Sequence, residues 1–168
     1  MLEDEQVLAG LRELRAQGVA IGLTVTGPDQ PATIERATDA GAFDTVQATW
    51  NLLEPSAGPA LTRAHDAGMG VIVKEALANG RLTAQGGEPR LVDAAARAGV
   101  APDALALAAA LAQPFADVVL SGAVTTRQLA ANLAAAGVAW TPELRAALAP
   151  MAMAPDAYWT RRSGMRWT

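Results

Sequence analysis

The chain has 168 residues, of which 51% are hydrophobic and 18% are charged, so it has the size and apolar content of one globular domain and not those of a disordered chain. Its formal net charge of -4 argues against a surface that follows nucleic-acid phosphates, and the lack of cysteine excludes disulfides, thiol catalysis and thiolate-bound metals. No apolar run approaches the ~18 residues of a membrane span, and the acidic start MLEDEQ is unlike the basic start of a signal peptide. We therefore expect a cytoplasmic protein that binds neither nucleic acid nor membranes.

The spacing of apolar residues predicts alternating helices and strands in a single domain that covers residues 1–168. A leading helix lies within 1–17, β/α units occupy 18–136, and a C-terminal helix and tail occupy 137–168. The predicted strands, in chain order, are 19–27, 43–51, 70–77 and 116–124. The predicted helices that alternate with them are 30–40, 56–67, 89–98, 102–112, 125–136 and one that begins at 141.

This order predicts an α/β fold with four parallel strands and right-handed crossovers, either an open sheet or half of a (β/α)8 barrel. No strand is followed by GxGxxG, so the dinucleotide fingerprint of an open sheet is missing. Polar residues gather instead at the carboxyl ends of the strands, where a barrel carries its site: Thr24, Thr26, Gln47, Thr49, Asn51, Lys74, Glu75 and Ser121. The alternative is that these groups only cap the strand ends by bonding to loop backbone.

Three side-chain types that often take part in catalysis occur once each, as Lys74, His65 and Tyr158. A single histidine excludes the zinc sites that need two. His65 lies away from the apolar stripe of its helix, so we expect it on a solvated helix face. Tyr158 lies in the tail beside Trp159, where we expect a lid or a packing aromatic.

Two segments, FDTVQATWNLLEPSAGPALTRAHDAGMGVIVKEALANGRL and DVVLSGAVTTRQLAANLAA, resemble the aldo/keto reductase family in order and spacing. The resemblance extends from about Gly18 to Ala136, and the tail AYWTRRSGMRW is similar to the C-terminal end of bacterial members. It implies a partial (β/α)8 TIM barrel, strands five to eight, with four parallel β/α units plus a C-terminal helix and tail. The family's catalytic Asp, Tyr, Lys and His lie on the first half of the barrel, so no catalytic residue is assigned to this chain.

The resemblance further implies that NADP(H) binds across the carboxyl ends of these strands. Thr24 stands where the family has the serine of a Ser-Asn pair, with Val25 in place of the asparagine. Gln47 matches a glutamine that contacts the nicotinamide carboxamide. Lys74, followed by Glu75, replaces the tyrosine whose ring stacks on the nicotinamide.

The segment SGAVTTRQLAAN resembles the family's phosphate- and adenine-binding segment. Cofactor-binding backbone N–H groups and a hydroxyl are expected at the start of a helix, a favourable place for an anion, from Gly122, Ala123, Val124 and Thr125. Gln128 and Asn132 match positions on the adenine side. Arg127 is one residue away from the family's phosphate-binding arginine and favours NADP over NAD, while Arg81 is expected to clamp the pyrophosphate.

The implied function is that of an NADP(H)-dependent oxidoreductase acting on a small carbonyl substrate, with this chain as the cofactor-binding half and not catalytically complete alone. The alternatives are a non-catalytic nucleotide-binding or homodimeric half-barrel, and a Schiff-base lyase that uses Lys74. Lys74 is otherwise expected to pair with Glu75, Glu54 or Asp44, or with a bound phosphate.

Half a barrel leaves two edge strands and one sheet face uncovered, which favours association. Three arrangements remain open: a truncated product or partial reading frame of a longer protein, two copies that pair into an eight-stranded barrel, and an open layer covered by another surface. Trp50 is expected as a pocket wall or as core. The tail aromatics Trp159 and Trp167 are expected in a flap near a pocket or on the missing half.

Overall fold

The computed structural model describes residues 4–165, and within that range the chain forms four strands and eight α-helices. The strands are β1 (Gly22–Thr24), β2 (Thr45–Thr49), β3 (Gly70–Lys74) and β4 (Val118–Val119). The helices are α1 (Glu5–Ala16), α2 (Gln30–Ala40), α3 (Gly58–Asp66), α4 (Pro89–Ala98), α5 (Pro102–Leu111), α6 (Thr126–Leu133), α7 (Pro142–Leu148) and α8 (Pro155–Ser163). Short 3₁₀ turns lie at Ala78–Gly80, Ala134–Gly137 and Ala149–Met151.

The four strands form one parallel sheet in the order β1-β2-β3-β4, which confirms the predicted parallel β/α arrangement. In the register of the sheet, Thr24 lies opposite Gln47, and Thr49 lies opposite Lys74. Parallel strands in sequential order are joined by right-handed crossovers, which place the connecting helices on one face of the sheet. The other face remains uncovered by these helices, as it does on the inner side of a barrel wall.

The alternation of buried and exposed residues along the strands identifies the two faces. Val46 and Val71 are fully buried and belong to the core cluster that also contains Ile34 of α2 and Leu61 of α3. The intervening side chains point to the opposite side, because successive residues of a strand alternate between faces. They are exposed or half-buried except for Thr49, which is fully buried. We call this side the open face; its residues near the carboxyl ends of the strands are Thr24, Gln47, Ile72 and Lys74.

A second hydrophobic cluster holds the C-terminal helices against the loops that follow β2 and β3. It contains Leu53 from the first loop, Leu82 from the second, Leu91 of α4, Leu148 of α7 and Tyr158 of α8. Between α4 and the sheet, α5 is buried on all sides over residues 104–110, which is possible because its alanines let neighbouring elements approach closely. The tail is therefore packed on the domain.

The structure corrects several predicted boundaries. The strand predicted at 19–27 is Gly22–Thr24, and the strand predicted at 116–124 is Val118–Val119. Both are edge strands with one neighbour in the described part of the chain, so their ladders end where that neighbour stops pairing. The tail at 155–163 is a helix, whose start is marked by Pro155 in the first turn. The predictions that involve residues 1–3 and 166–168, including Trp167, lie outside the described residues.

Within residues 4–165, no single helix has the length and apolar composition of a membrane span. Only α4 and α5 taken together reach that length, and the pair is bent by 89°.

Candidate functional site

Three of the predicted cofactor-binding side chains meet on the open face at the carboxyl ends of β1 to β3. The Lys74 ammonium Nζ donates to Thr24 Oγ1 at 3.3 Å, and the Thr24 hydroxyl donates to the Gln47 carbonyl oxygen at 3.4 Å. Thr24 is exposed, while Gln47 and Lys74 are half-buried. The side chains of Thr24 and Gln47 are neighbours in the register of the sheet. This edge of the sheet therefore presents a hydroxyl, an amide and an ammonium group on one side.

The Lys74 ammonium is not neutralised in any of the three ion pairs predicted for it. The carboxylate of Glu75 binds Arg162, that of Glu54 is buried beside Gln30, and that of Asp44 binds Arg15. The predicted pairings are therefore wrong. Partial burial lowers the pKa of Lys74; the nearby Glu75 opposes this shift and Arg162 adds to it.

Glu75 follows Lys74 in an uncommon backbone conformation, and its carboxylate forms an ion pair with Arg162. Its φ of 55° lies in the left-handed region, which is uncommon for a residue with a side chain. The Arg162 guanidinium donates from Nε at 3.1 Å and from Nη2 at 2.8 Å to Glu75 Oε1, and this contact raises the pKa of Arg162. Both side chains are largely buried, at 15% and 16% exposure. The ion pair ties α8 to the end of β3.

Asn51, one of the polar residues predicted at the strand ends, is the centre of a buried hydrogen-bond network whose partners the sequence did not indicate. Its Oδ1 accepts from the backbone N–H groups of Leu53 at 2.9 Å and Glu54 at 3.0 Å. Its Nδ2 donates to the Glu75 carbonyl at 3.0 Å and to the Tyr158 hydroxyl at 3.1 Å. Asn51 thereby joins the ends of β2 and β3 to α8. The WNLL segment was the available signal, but the fourfold bonding depends on tertiary contacts.

Tyr158 is a packing aromatic and not a lid. The side chain is 1% exposed, and the Arg81 guanidinium lies over its ring at 5.8 Å. Burial raises the pKa of the Tyr158 hydroxyl above its ordinary value, and the hydrogen bond from Asn51 partly offsets that rise. We call Asn51, Glu54, Glu75, Tyr158 and Arg162 the β2–β3 end.

Gln30 and Glu54 form a second buried polar group that sequence reasoning missed. The Gln30 amide pairs with the backbone of Thr49, donating to its carbonyl at 3.0 Å and accepting from its N–H at 3.2 Å. It also donates to Glu54 Oε1 at 3.4 Å, and the Ser56 hydroxyl donates to the same oxygen. Because these bonds connect α2 to the end of β2, they fix the strand end that carries Gln47.

The segment predicted to bind phosphate forms the N-terminal cap of α6. Gly122 has a φ of 63°, Thr125 is the N-cap of α6, and Val124 is 85% exposed. The side chain of Gln128 accepts from the backbone N–H groups of Val124 at 3.0 Å and Thr125 at 3.1 Å. Its own backbone N–H donates to Thr125 Oγ1 at 3.1 Å, which completes a capping box.

Asn132 also turns back onto this segment, since its Nδ2 donates to the Ser121 carbonyl at 3.1 Å. Ala123 is half-buried, and Arg127 is exposed in the first turn of α6. We call residues 121–128 together with Asn132 the β4–α6 end. The structure therefore places six predicted residues at this end, apart from the group formed by Thr24, Gln47 and Lys74.

Three further expectations are settled by position. Trp50 is core, not pocket wall: it is 7% exposed and packs edge-on against Phe115 with ring centroids 6.2 Å apart. Arg81 is buried, with Nη2 at 3.3 Å from Glu88, so it does not overhang the strand ends as a clamp. His65 is half-exposed on α3, as expected.

The residues on the open face fit the amide of a nicotinamide, because the Gln47 amide offers a donor and an acceptor. The Thr24 hydroxyl donates to the Gln47 carbonyl and accepts from Lys74, which leaves it one acceptor lone pair. At the β4–α6 end, two of the N–H groups expected to bind phosphate already hold Gln128. A phosphate can use them only after the Gln128 side chain leaves.

Comparison with known proteins shows which family model and which solved structures this chain resembles. A family model described as the Aldo/keto reductase family matches residues 2–148. The holo form of aldo-keto reductase AKR11C1 from Bacillus halodurans superposes with a TM-score of 0.71 at 20% identity, covering 89% of this chain and 56% of that one. The apo form gives 0.72 at 21% identity, covering 90% and 59%. No curated protein gives a significant sequence match.

The chain therefore spans less than two thirds of the length of the solved structures that it resembles. At this identity the likeness shows the fold, and it confirms the predicted partial (β/α)8 barrel.

Proposed function

The chain belongs to the aldo/keto reductase family, as the sequence predicted, and we propose that it is the cofactor-binding half of an NADP(H)-dependent oxidoreductase barrel. The observation that supports this best is the group formed by Thr24, Gln47 and Lys74 on the open face at the carboxyl ends of three strands. In a β/α barrel, ligands bind at that end of the strands. The expected cytoplasmic location is part of the same proposal.

At the nicotinamide end, the Thr24 hydroxyl and the Gln47 amide would hold the carboxamide. Lys74 would lie beside the ring. Glu75, whose carboxylate binds Arg162, would act on the Lys74 ammonium electrostatically, by raising its pKa. When bound, the reduced cofactor supplies a hydride to a carbonyl carbon. The contribution of these residues is to bind and orient.

At the other end, the backbone N–H groups of Gly122, Ala123, Val124 and Thr125 would bind phosphate at the start of α6. This requires the Gln128 side chain to release Val124 and Thr125, after which Gln128 and Asn132 are available to the adenine side. Arg127, exposed in the first turn of the helix, would reach a 2′-phosphate and favour NADP over NAD.

The proposal does not include independent reductase activity. Tyr158, the only tyrosine of the sequence, is buried beside Asn51, so its hydroxyl does not face the open side of the sheet. A small carbonyl substrate would be reduced only when other residues supply the proton donor.

The edges of the sheet support completion of the barrel by further strands. β1 and β4 each pair with one strand among the described residues. Large apolar side chains are exposed on the β4 edge and on α6 beside it: Val118, Leu120, Leu129 and Leu133. Exposed apolar side chains grouped in this way mark an association surface. The missing strands would come from a completing half-barrel or from a second copy of the chain.

The test is a titration with NADPH, followed by quenching of tryptophan fluorescence, on a sample whose mass is fixed by light scattering. We expect saturable binding that weakens about tenfold in Gln47→Ala, the effect of one lost hydrogen-bonding group in a binding site. Gln6→Ala, an exposed glutamine on α1, is the matched control and should bind as the original chain does. No saturable binding, or equal affinity in both variants, contradicts the proposal.

Light scattering in the same experiment tests whether a second copy of the chain supplies the missing strands. A mass of about twice the monomer supports pairing of two copies, and Leu129→Glu with Leu133→Glu should then return it to the monomer mass. A monomer that binds NADPH excludes the need for a second copy.

A second candidate function rests on Lys74, whose pKa is lowered chiefly by burial, as a Schiff-base amine requires. The neutral amine would attack a carbonyl carbon, lose water and form an imine that borohydride reduces to a stable secondary amine. With pyruvate and borohydride, an adduct at Lys74 that is absent from Lys74→Arg supports this candidate. Unchanged mass at Lys74 eliminates it.

A further inference from the structure

We propose that Gln30 is a positioning residue for the nicotinamide end of the site: its buried amide takes the place of β1 beside the end of β2 and thereby holds Gln47. This inference rests on the proposed function, because Gln47 is the side chain expected to bind the nicotinamide carboxamide. Gln30 acts through the strand and not by contact with the cofactor.

The ladder between β1 and β2 ends before β2 does. Thr24 lies opposite Gln47, and the Val25 N–H donates to the Gln47 carbonyl at 2.9 Å. The backbone N–H and C=O of Thr49 point to the same side of β2 as those of Gln47, because every second residue of a parallel strand bonds to the same neighbour. Both Thr49 groups bond to the Gln30 amide, at 3.2 Å and 3.0 Å. Gln30 therefore continues the ladder beyond the last pair that β1 supplies.

A sharp turn after β1 brings Gln30 back to the sheet. Gly27 has a φ of 97°, a backbone conformation that favours glycine, and the Gln30 N–H donates to the Gly27 carbonyl at 3.2 Å. Gln30 is the first residue of α2, and Pro31 restricts the backbone of the same helical turn. The Gln30 side chain is therefore presented to β2 from a backbone that is restricted on both sides.

Burial makes the Gln30 amide necessary at this place. The residue is 0% exposed, and its Nε2 also lies 3.4 Å from Glu54 Oε1, which accepts from the Ser56 hydroxyl. Without the amide, the N–H and C=O of Thr49 would be buried and unpaired, which costs free energy unless the strand end moves. Gln47 is two residues away on the same strand. A carboxamide held by Gln47 therefore depends on the Gln30 amide.

The test is a double-mutant cycle, read as the Kd of NADPH by quenching of tryptophan fluorescence. Gln30→Met keeps the length of the side chain and removes its amide, and we expect it to weaken binding about fivefold. In the Gln47→Ala background the same change should weaken binding by less than about twofold, because Gln47 no longer holds the carboxamide. An equal loss in both backgrounds, or no loss in the original chain, overturns the inference.

A second ligand, 2′,5′-ADP, separates a local effect from general damage to the fold, because it lacks the nicotinamide. Gln30→Met should change its Kd by less than about twofold. Equal losses of affinity for 2′,5′-ADP and NADPH overturn the inference. The matched control is Gln113→Met, which removes a glutamine amide that donates to the Ala109 carbonyl of α5 at 2.7 Å, and it should leave both dissociation constants unchanged.

Amide hydrogen exchange tests the hold on β2 without NADPH. In the original chain, the N–H groups of Val25 and Thr49 should exchange at rates within about tenfold of each other, because both are hydrogen-bonded in one continuous ladder. Gln30→Met should speed the exchange of both about tenfold or more and leave that of Gly70, which donates to the Asp44 carbonyl at 2.8 Å, unchanged. An unchanged rate at Val25 in the variant overturns the inference.

The exchange rates also keep the two proposals separate. No binding of NADPH contradicts the proposed function, whereas the exchange at Val25 still decides whether Gln30 holds the strand that carries Gln47. Should Gln30→Met fail to fold, the original chain decides the question: exchange at Thr49 about a hundredfold faster than at Val25 overturns the inference, and comparable rates support it.

Discussion

The β2–β3 end and the β4–α6 end lie at the same edge of one sheet, yet they are built in different ways. At the β2–β3 end, Asn51 and Glu54 are 1% and 0% exposed, and their partners come from distant parts of the chain. At the β4–α6 end, Val124 is 85% exposed, and the Gln128 side chain accepts from the backbone N–H groups of Val124 and Thr125 in the same helix cap. The first is fixed by tertiary contacts and the second by a helix cap.

This difference teaches where binding would require reorganisation. A site whose groups are already held in place loses little conformational entropy when a ligand binds. Thr24, Gln47 and Lys74 lie beside the fixed β2–β3 end, so they are positioned in advance. In the proposed function, phosphate binding at the β4–α6 end would first require breaking the bonds from Val124 and Thr125 to Gln128, and that cost would weaken the binding.

The largest effect is expected from Asn51→Ala, which would test whether the β2–β3 end is held as tightly as its bonding indicates. The change leaves four buried groups without their partner, so we expect the free energy of unfolding to fall by about 3 kcal/mol. Urea denaturation followed by circular dichroism measures it. Asn132→Ala removes one hydrogen bond at the β4–α6 end and should cost about 1 kcal/mol. An equal loss of unfolding free energy in the two variants would contradict the conclusion that the β2–β3 end is held more tightly than the β4–α6 end.

Arg162→Met is expected to have the next largest effect, because it leaves the carboxylate of Glu75 largely buried and without its cation. We expect a loss of about 2 kcal/mol in the free energy of unfolding, less than for a fully enclosed pair. The control is Arg63→Met, which breaks an exposed ion pair with Asp39 and should not move the urea midpoint measurably. A loss in Arg162→Met as small as in the control would mean that α8 is not anchored by this pair.

Tyr158→Phe sharpens the comparison through pH. Removing the hydroxyl should cost about 1 kcal/mol at neutral pH, since the hydrogen bond from Asn51 is lost. The folded pKa of Tyr158 is raised, so its contribution to stability is fully present below the unfolded pKa and is lost as pH rises from there through the folded pKa. Stability of the original chain should therefore decline above pH ~10 by about 1 kcal/mol per pH unit relative to Tyr158→Phe.

Urea denaturation of both proteins across that pH range provides the measurement. Lys74, whose folded pKa is lowered, titrates in the opposite sense there, but it is present in both proteins and cancels in the difference. Parallel pH dependence of the two proteins would show that the Tyr158 hydroxyl is not held in the buried environment described.

The fold was predictable from the sequence where local signals agree with tertiary contacts. The helix predicted at 30–40 is Gln30–Ala40, because Pro31 begins it and Gly41, with a φ of 60°, ends it. The strands were predicted too long at β1 and β4, since β-branched runs continue beyond the point where a neighbouring strand is available to pair.

The candidate site was predictable only in part. The polar residues at the strand ends indicated Thr24, Gln47 and Lys74 and also Asn51 and Glu75, because the ends of parallel strands meet at one edge. The bonds of Asn51 to Tyr158 and of Arg162 to Glu75 join residues 107 and 87 positions apart, and no local pattern encodes such pairs. The capping box was different: Thr125 and Gln128 have the T-x-x-Q spacing that predicts it, and that spacing also predicts that the local N–H groups are already bonded.

The smallest effect on stability is expected from Gln128→Ala at the β4–α6 end. The side chain bonds only to an exposed helix cap, so we expect a loss of about 0.5 kcal/mol in the free energy of unfolding. The same change opens the N–H groups of Val124 and Thr125, and inorganic pyrophosphate should then bind about twofold more tightly by calorimetry. Because pyrophosphate has no adenine, this result is independent of any contact between Gln128 and a base. Weaker pyrophosphate binding in the variant would mean that Gln128 helps to hold the phosphate, and that this end, like the other, is already arranged for its ligand.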